Sequence, residues 1–222
     1  MMAEKAPISY QDSLAVIKRL LEVAEERNEP FEEPIVMVGG TAMMAHDIRK
    51  QSRDVDLYAG DFSDDVVHQV EEEFKKRLGD DFKIDVTSAE NIWGSIMLRD
   101  IRNSEPGVRM AFRDHILVIR KLSVEDLFLL KLDTEREKDR DDLSVLYERT
   151  NLDRLIDRFN IIWKWHGDRN AVLGYADRFV STIRVLGNHE PLHVIDRLKL
   201  PGFMAEMLRE THGVNFDETP RP

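Results

Sequence analysis

The sequence predicts a mixed α/β (α+β) protein, a sheet with flanking helices followed by a helical C-terminal unit, and three observations carry that reading. Strand-like and helix-like segments alternate as far as Arg120, only helix-like segments follow, and the charge balance changes in the same part of the chain. The 222 residues suffice for one large domain or two small ones. We expect an α/β core over 1–122 and a helical unit over 123–222.

Composition excludes several classes. There is no cysteine, so no disulfide scaffold, and 42% hydrophobic with 34% charged residues describes a chain able to bury a core. Asn151–Pro222 carries ten basic and ten acidic residues, so the whole net charge of −11 falls on Met1–Thr150. That balance argues against a protein that coats nucleic acid through clustered Lys and Arg. It also points to carboxylates in the first unit that face water or hold metal. No apolar run approaches the ~20 residues of a membrane span, and MMAEKAPISY lacks the apolar core of a signal peptide. A cytoplasmic protein without a membrane partner is expected.

Leu14, Ile17, Leu20, Leu21 and Ala24 recur at helical spacing across Tyr10–Glu26. IVMV is a short β-branched run that ends in Gly39 and Gly40, and TAMMAHDI continues as a helix-compatible stretch. SRDVDLY alternates as a strand, with Val55 and Leu57 opposite Asp54 and Asp56. Ser63 caps a helix DDVVHQVEEEFKKRLG that Gly79 closes in a left-handed conformation. FKIDVTS, GSIMLRDI, VRMAF and ILVIR follow as strands, with a turn at Glu105, Pro106 and Gly107. Ser123 and Asp126 open one long helix, SVEDLFLLKLDTEREKDRDDLSVLYER. The remaining segments are helix-patterned, with Asn151 and Asp168 as caps and breaks near Gly167, Gly187, Asn188 and Pro201.

Asp54, Asp56 and Asp85 form the main constellation. Side chains alternate along a strand, so residues two apart project to one side, and a third acid from another strand completes an oxygen ligand set. Such a set suits two Mg²⁺ (or Mn²⁺) ions about 4 Å apart that activate an attacking hydroxyl and stabilise a departing pyrophosphate. Without metal the three carboxylates repel. The Gly39-Gly40 bend adds weight, because glycine permits close phosphate approach and the next helix offers N–H groups to an anion. A DxD alone, or a GG alone, is more often a solvent face or a simple turn.

GGTAMMAHDIRKQSRDVDL with the later Asp85 resembles the DNA polymerase β-like nucleotidyltransferase superfamily, whose pattern is a GG or GS turn, a spaced DxD and a third acid. Arg49, Ser52, Asp54, Asp56 and Leu57 after GG-T-A are similar to its AbiEii-like branch, which includes toxins of toxin-antitoxin and abortive-infection systems. A second match, K-x4-R-x-K-D-x2-D, is carried by Lys131, Arg136, Lys138, Asp139 and Asp142. Together the motifs cover about Ile35–Leu146. The resemblance implies an NTP-dependent, magnesium-requiring nucleotidyltransferase with Asp54, Asp56 and Asp85 as metal-holding catalytic residues. The triphosphate would meet Gly39, Gly40, Thr41, Ser52, Arg49 or Lys50, and Lys131, with Arg136, Lys138 and Asp139 on the pocket rim. An RNA acceptor such as the tRNA 3′ end and a cognate antitoxin partner are implied as well. Transfer to a protein or a small molecule such as an antibiotic, and a non-catalytic nucleotide- or partner-binding relative, are the alternatives.

Helix geometry bears on the second motif independently. An apolar face begun by Val124, Leu127 and Phe128 runs forward into Lys131, Glu135, Lys138 and Asp142. Several i, i+4 pairs there carry like charges, among them Glu135/Asp139 and Arg136/Arg140, a local cost that an external partner would relieve.

Two other motifs point to the bland reading. His189-Glu190-Pro191-Leu192-His193 fits the H-E-x-x-H string of zinc proteases, but Pro191 predicts a helix that starts after His189, which separates the two histidines. Trp163 and Trp165 beside Lys164 and Arg169 could stack on bases; packing between helices is the expectation.

Overall fold

The computed structural model describes residues 7–29, 34–59, 62–86, 104–132 and 137–213. It shows a mixed α/β protein that separates into two compact units, Met1–Leu127 and Phe128–Pro222.

In the first unit, β1 (Ile8–Ser9) leads directly into α1 (Tyr10–Glu26). Ser9 caps α1 in a reciprocal box with Asp12, and Ile17, Leu20, Leu21 and Ala24 form its buried face, as their spacing predicts. Then come β2 (Val36–Met37), α2 (Gly39–Ala45), β3 (Gln51–Ser52), β4 (Val55–Tyr58), α3 (Asp64–Leu78), β5 (Ile84–Val86), β6 (Glu105–Phe112) and β7 (His115–Lys121). Five strands make one mixed sheet in the order β5-β4-β2-β7-β6, while β1 and β3 pair separately. Strand β2 is antiparallel to β4 and parallel to β7, β4 is parallel to β5, and β6 and β7 form an antiparallel hairpin. Met37, Val55 and Leu57 are fully buried in the central strands. Helix α1 packs on α3, with Arg19 reaching Glu73 at 2.8 Å.

Four details differ from the sequence reading. The first helix after the glycine bend begins at Gly39 itself, with extended Val38 as its N-cap. Glu105, Pro106 and Gly107 lie inside β6 rather than in a turn, and the register slips between Pro106 and Val108. An edge strand tolerates that proline because its outer N–H groups need no partner, and Gly107 fits where a Cβ would press on the Ile119 carbonyl at 2.6 Å. Gly79 ends α3 with φ 101° and ψ 157°, positive but outside the left-handed helical region. GSIMLRDI lies outside the described residues.

The long helix expected from Ser123 is the fourth difference. Ser123 does cap its start, accepting from Asp126 N–H at 3.1 Å. The segment nevertheless forms two helices, α4 (Val124–Lys131) and α5 (Glu137–Tyr147), and the division between units falls within α4. Residues 133–136 lie outside the described set. The second unit continues with α6 (Leu152–Ile162), a 3₁₀ turn (Trp163–Trp165), α7 (Arg169–Gly187), α8 (Pro191–Arg197) and α9 (Gly202–Gly213). Asn151 and Asp168 cap α6 and α7 as expected. The core of this unit gathers Phe159 between Tyr175 and Phe179, ring centroids 5.6 and 4.9 Å apart, and the Tyr175 hydroxyl donates to the Leu129 carbonyl. Among the described residues no helix is long and apolar enough to cross a membrane.

Candidate active site

The site is built on β4, β5 and the start of α2. Strand β4 begins at Val55, so Asp54 lies on the bend just ahead of it and Asp56 is its second residue. Val55 and Leu57 point into the core, which turns Asp56 to the opposite face. On the neighbouring strand, Asp85 pairs in register with Asp56. Paired residues of parallel strands project to the same face, so the two carboxylates share one row. Asp85 is exposed and Asp56 half-buried.

The electrostatics agree with that convergence. The Asp56 carboxyl is pushed up to about 6, first by burial, then by the negative charges of Asp85 and Asp54, against hydrogen bonds from the backbone at Gly40 and Thr41 that favour the anion. Thus Asp54 and Asp85 both act on Asp56. Among the described residues no three His, Cys, Asp or Glu side chains are grouped to hold an ion by themselves. Magnesium commonly takes one or two carboxylates and completes its shell with water and substrate phosphates, and the in-register pair Asp56 and Asp85 has the oxygen chemistry for that partial role.

The glycine bend does something the sequence reading had not assigned to it. Gly40 N–H donates to Asp56 Oδ2 at 2.7 Å. Gly39 adopts φ +47°, and a Cβ there would come within 2.8 Å of the Asp56 carboxyl carbon. A Cβ on Gly40 would collide with the Ser52 hydroxyl. Both glycines therefore make room for side chains of the chain itself. Thr41 is wholly buried, and its hydroxyl accepts from Asp56 N–H at 2.9 Å. Ser52, also buried, is held by its β3 pairing with Ile8. Arg49, half-buried, and Lys50, exposed, occupy the connection from α2 to β3.

The second motif is organised within its own unit. Lys131 Nζ lies 2.5 Å from Asp139 Oδ1 and 2.7 Å from Asp142 Oδ2, with all three side chains largely buried. In one continuous helix, residues 131 and 142 would be about 16 Å apart along the axis, out of reach. Closing the pairs requires the break between α4 and α5. Asp139 and Asp142 thus find a partner inside the chain, and Lys131 is engaged by two carboxylates. Arg136 lies outside the described residues, as does the side chain of Lys138.

His189 precedes α8, whose first residue is Pro191, and its Nε2 lies 2.8 Å from the Tyr147 hydroxyl. His189 and His193 do not share a helix, as the proline predicts. Trp165 is 40% exposed and Trp163 half-buried in the 3₁₀ turn.

Compared with models of known protein families, with curated proteins and with solved structures, the chain matches none.

Proposed function

We propose that this protein is a metal-dependent nucleotidyltransferase that moves a nucleoside monophosphate from an NTP to an acceptor hydroxyl. The observation that carries the reading is the in-register pair Asp56 and Asp85, with Asp54 just ahead, beside the Gly39-Gly40 bend. Two ordered motifs with the spacing of an AbiEii-like enzyme support it from the sequence side.

Bound Mg²⁺ or Mn²⁺ would supply charge neutralisation for the triphosphate and a lowered pKa for the acceptor hydroxyl. The chain's own contribution is the carboxylate row. On this reading Asp56, fixed by Gly40 N–H, and Asp54 would hold metal beside the triphosphate, and exposed Asp85 would take the acceptor proton. The hydroxyl attacks the α-phosphorus in line and pyrophosphate leaves. Arg49 and Lys50 lie on the connection from α2 to β3 that precedes this row, and on the resemblance we assign the triphosphate contact to them. Lys131, committed to Asp139 and Asp142, is not assigned that contact.

An RNA acceptor, the tRNA 3′ end foremost, and a toxin role in the cytoplasm with an antitoxin partner rest on the resemblance. The test is incubation of the purified chain with each α-³²P-labelled NTP, Mg²⁺ or Mn²⁺ and total tRNA. Label in RNA that disappears with Asp54→Ala and Asp85→Ala supports the reading. Label on the protein fraction would move the acceptor to a polypeptide, and equal label in wild type and both variants would overturn the assignment of these acids.

A further inference from the structure

The junction of β2, α2 and β4 has an irregularity in its ladder. Val38 N–H donates to the Asp56 carbonyl at 3.1 Å. In an antiparallel pair the reciprocal bond would run from Asp56 N–H to the Val38 carbonyl. That carbonyl instead accepts Ala42 N–H at 2.9 Å as the first bond of α2. Asp56 N–H is therefore left to find another acceptor, and it finds Thr41 Oγ1 at 2.9 Å. From the same stretch, Gly40 N–H holds Asp56 Oδ2 at 2.7 Å, and the Thr41 backbone also acts on that carboxylate. Two consecutive residues of α2 thus fix both the main chain and the side chain of Asp56. The far end of α2 is tied down as well: Lys121 Nζ donates to the Ala45 carbonyl at 3.1 Å, and His46 Nε2 lies 2.7 Å from the Leu122 carbonyl. The clamp belongs to an anchored element.

We infer that Thr41 is a positioning residue, whose buried hydroxyl, working with Gly40 N–H, sets the Asp56 carboxylate in the orientation that accepts a divalent cation. This rests on the nucleotidyltransferase reading and deepens it, because it moves Thr41 from the nucleotide to Asp56. A threonine that served only to fill space beneath the bend could be replaced by its isostere valine without consequence for Asp56. One that serves as acceptor could be replaced only by serine.

The experiment measures Mn²⁺ binding to the full chain by electron paramagnetic resonance, beside label transfer over a range of Mn²⁺ concentrations, for wild type, Thr41→Val, Thr41→Ser and Asp56→Asn. Groups that orient a metal ligand typically carry about 10- to 100-fold in metal affinity. Thr41→Val is expected to weaken Mn²⁺ by that factor and to raise the Mn²⁺ needed for half-maximal transfer, with the KM for NTP unchanged and Thr41→Ser close to wild type. Wild-type affinity in Thr41→Val overturns the inference, as does equal weakening in Thr41→Ser. Should Thr41→Val not fold, Thr41→Ala takes its place, and Asp56 amide exchange is read in Thr41→Ser. Retained protection with retained affinity supports the clamp; lost protection with retained affinity overturns it. A wild type that neither binds Mn²⁺ nor transfers label defeats the functional reading itself, an outcome distinct from a normal Thr41→Val in an active protein.

Discussion

Asp56 and Asp85 face one another across the parallel strands β4 and β5, so the sheet holds two like charges in one row while a third, Asp54, stands at its end. Like charges directly opposite destabilise a ladder. Burial adds to the cost at Asp56, whose carboxyl is pushed up to about 6. The negative charges that Asp85 and Asp54 bring to Asp56 are ones a bound cation would offset.

The repulsion makes a pH prediction. The folded Asp56 carboxyl titrates near 6 and the unfolded one near about 3.9, so the folded state holds its proton longer. The contribution of this one group is full below about pH 4, falls as the pH rises from about 4 to about 6, and stays lowered above that, by at most about 3 kcal/mol. Asp56→Asn should therefore melt above wild type at pH 7.5 and level with it at pH 4, while losing label transfer. Thermal melts at the two pH values check this.

Divalent cation should act in the same place. Mn²⁺ at 100 times its Kd adds about 2.7 kcal/mol to a protein that binds it only when folded. The rise in Tm is expected above pH 6, where Asp56 is ionised, to vanish on chelation, and to be absent from Asp56→Asn.

Gly39 and Gly79 offer a matched pair, since both have positive φ, but only Gly39 has the Asp56 carboxyl where a Cβ would go. Gly39→Ala should lose about 1–2 kcal/mol for backbone conformation alone, more for the contact, and the Mn²⁺ response with it. Gly79→Ala, with open space around it, should show a backbone cost and an intact Mn²⁺ response. Urea melts with and without Mn²⁺ distinguish them.

Lys131→Met should destabilise the second unit by about 3–5 kcal/mol, because Asp139 and Asp142 are left buried without their cation. Adding Asp139→Asn and Asp142→Asn should recover much of the loss. The NTP KM, measured at a temperature where the variants are folded, should not change.

What the sequence made legible follows from range. Capping by Ser63, Asn151 and Asp168, the start of α8 at Pro191 and the buried stripe of α1 depend on neighbours within a few residues, and each is visible as a local pattern. The DxD spacing likewise placed Asp56 on the face opposite Val55 and Leu57. What escaped depends on residues far apart in the chain. The purpose of the Gly39-Gly40 bend lies sixteen positions on, in Asp56, and Thr41 is explained only by a carbonyl that has left the ladder. The charged run after Leu132 was legible as frustrated, and its like-charge pairs were the signal. The pairing of Asp139 and Asp142 with Lys131 depends on α4 and α5 being separate helices, which no periodicity announces.

The most direct measurement is the anomalous difference density of a crystal grown with Mn²⁺ and a non-hydrolysable NTP analogue. The expected result is a peak coordinated by carboxylate oxygens from Asp54, Asp56 and Asp85 and by phosphate oxygens of the analogue. Ordered Mn²⁺ and nucleotide bound elsewhere on the chain, with the three carboxylates turned to solvent, would contradict it.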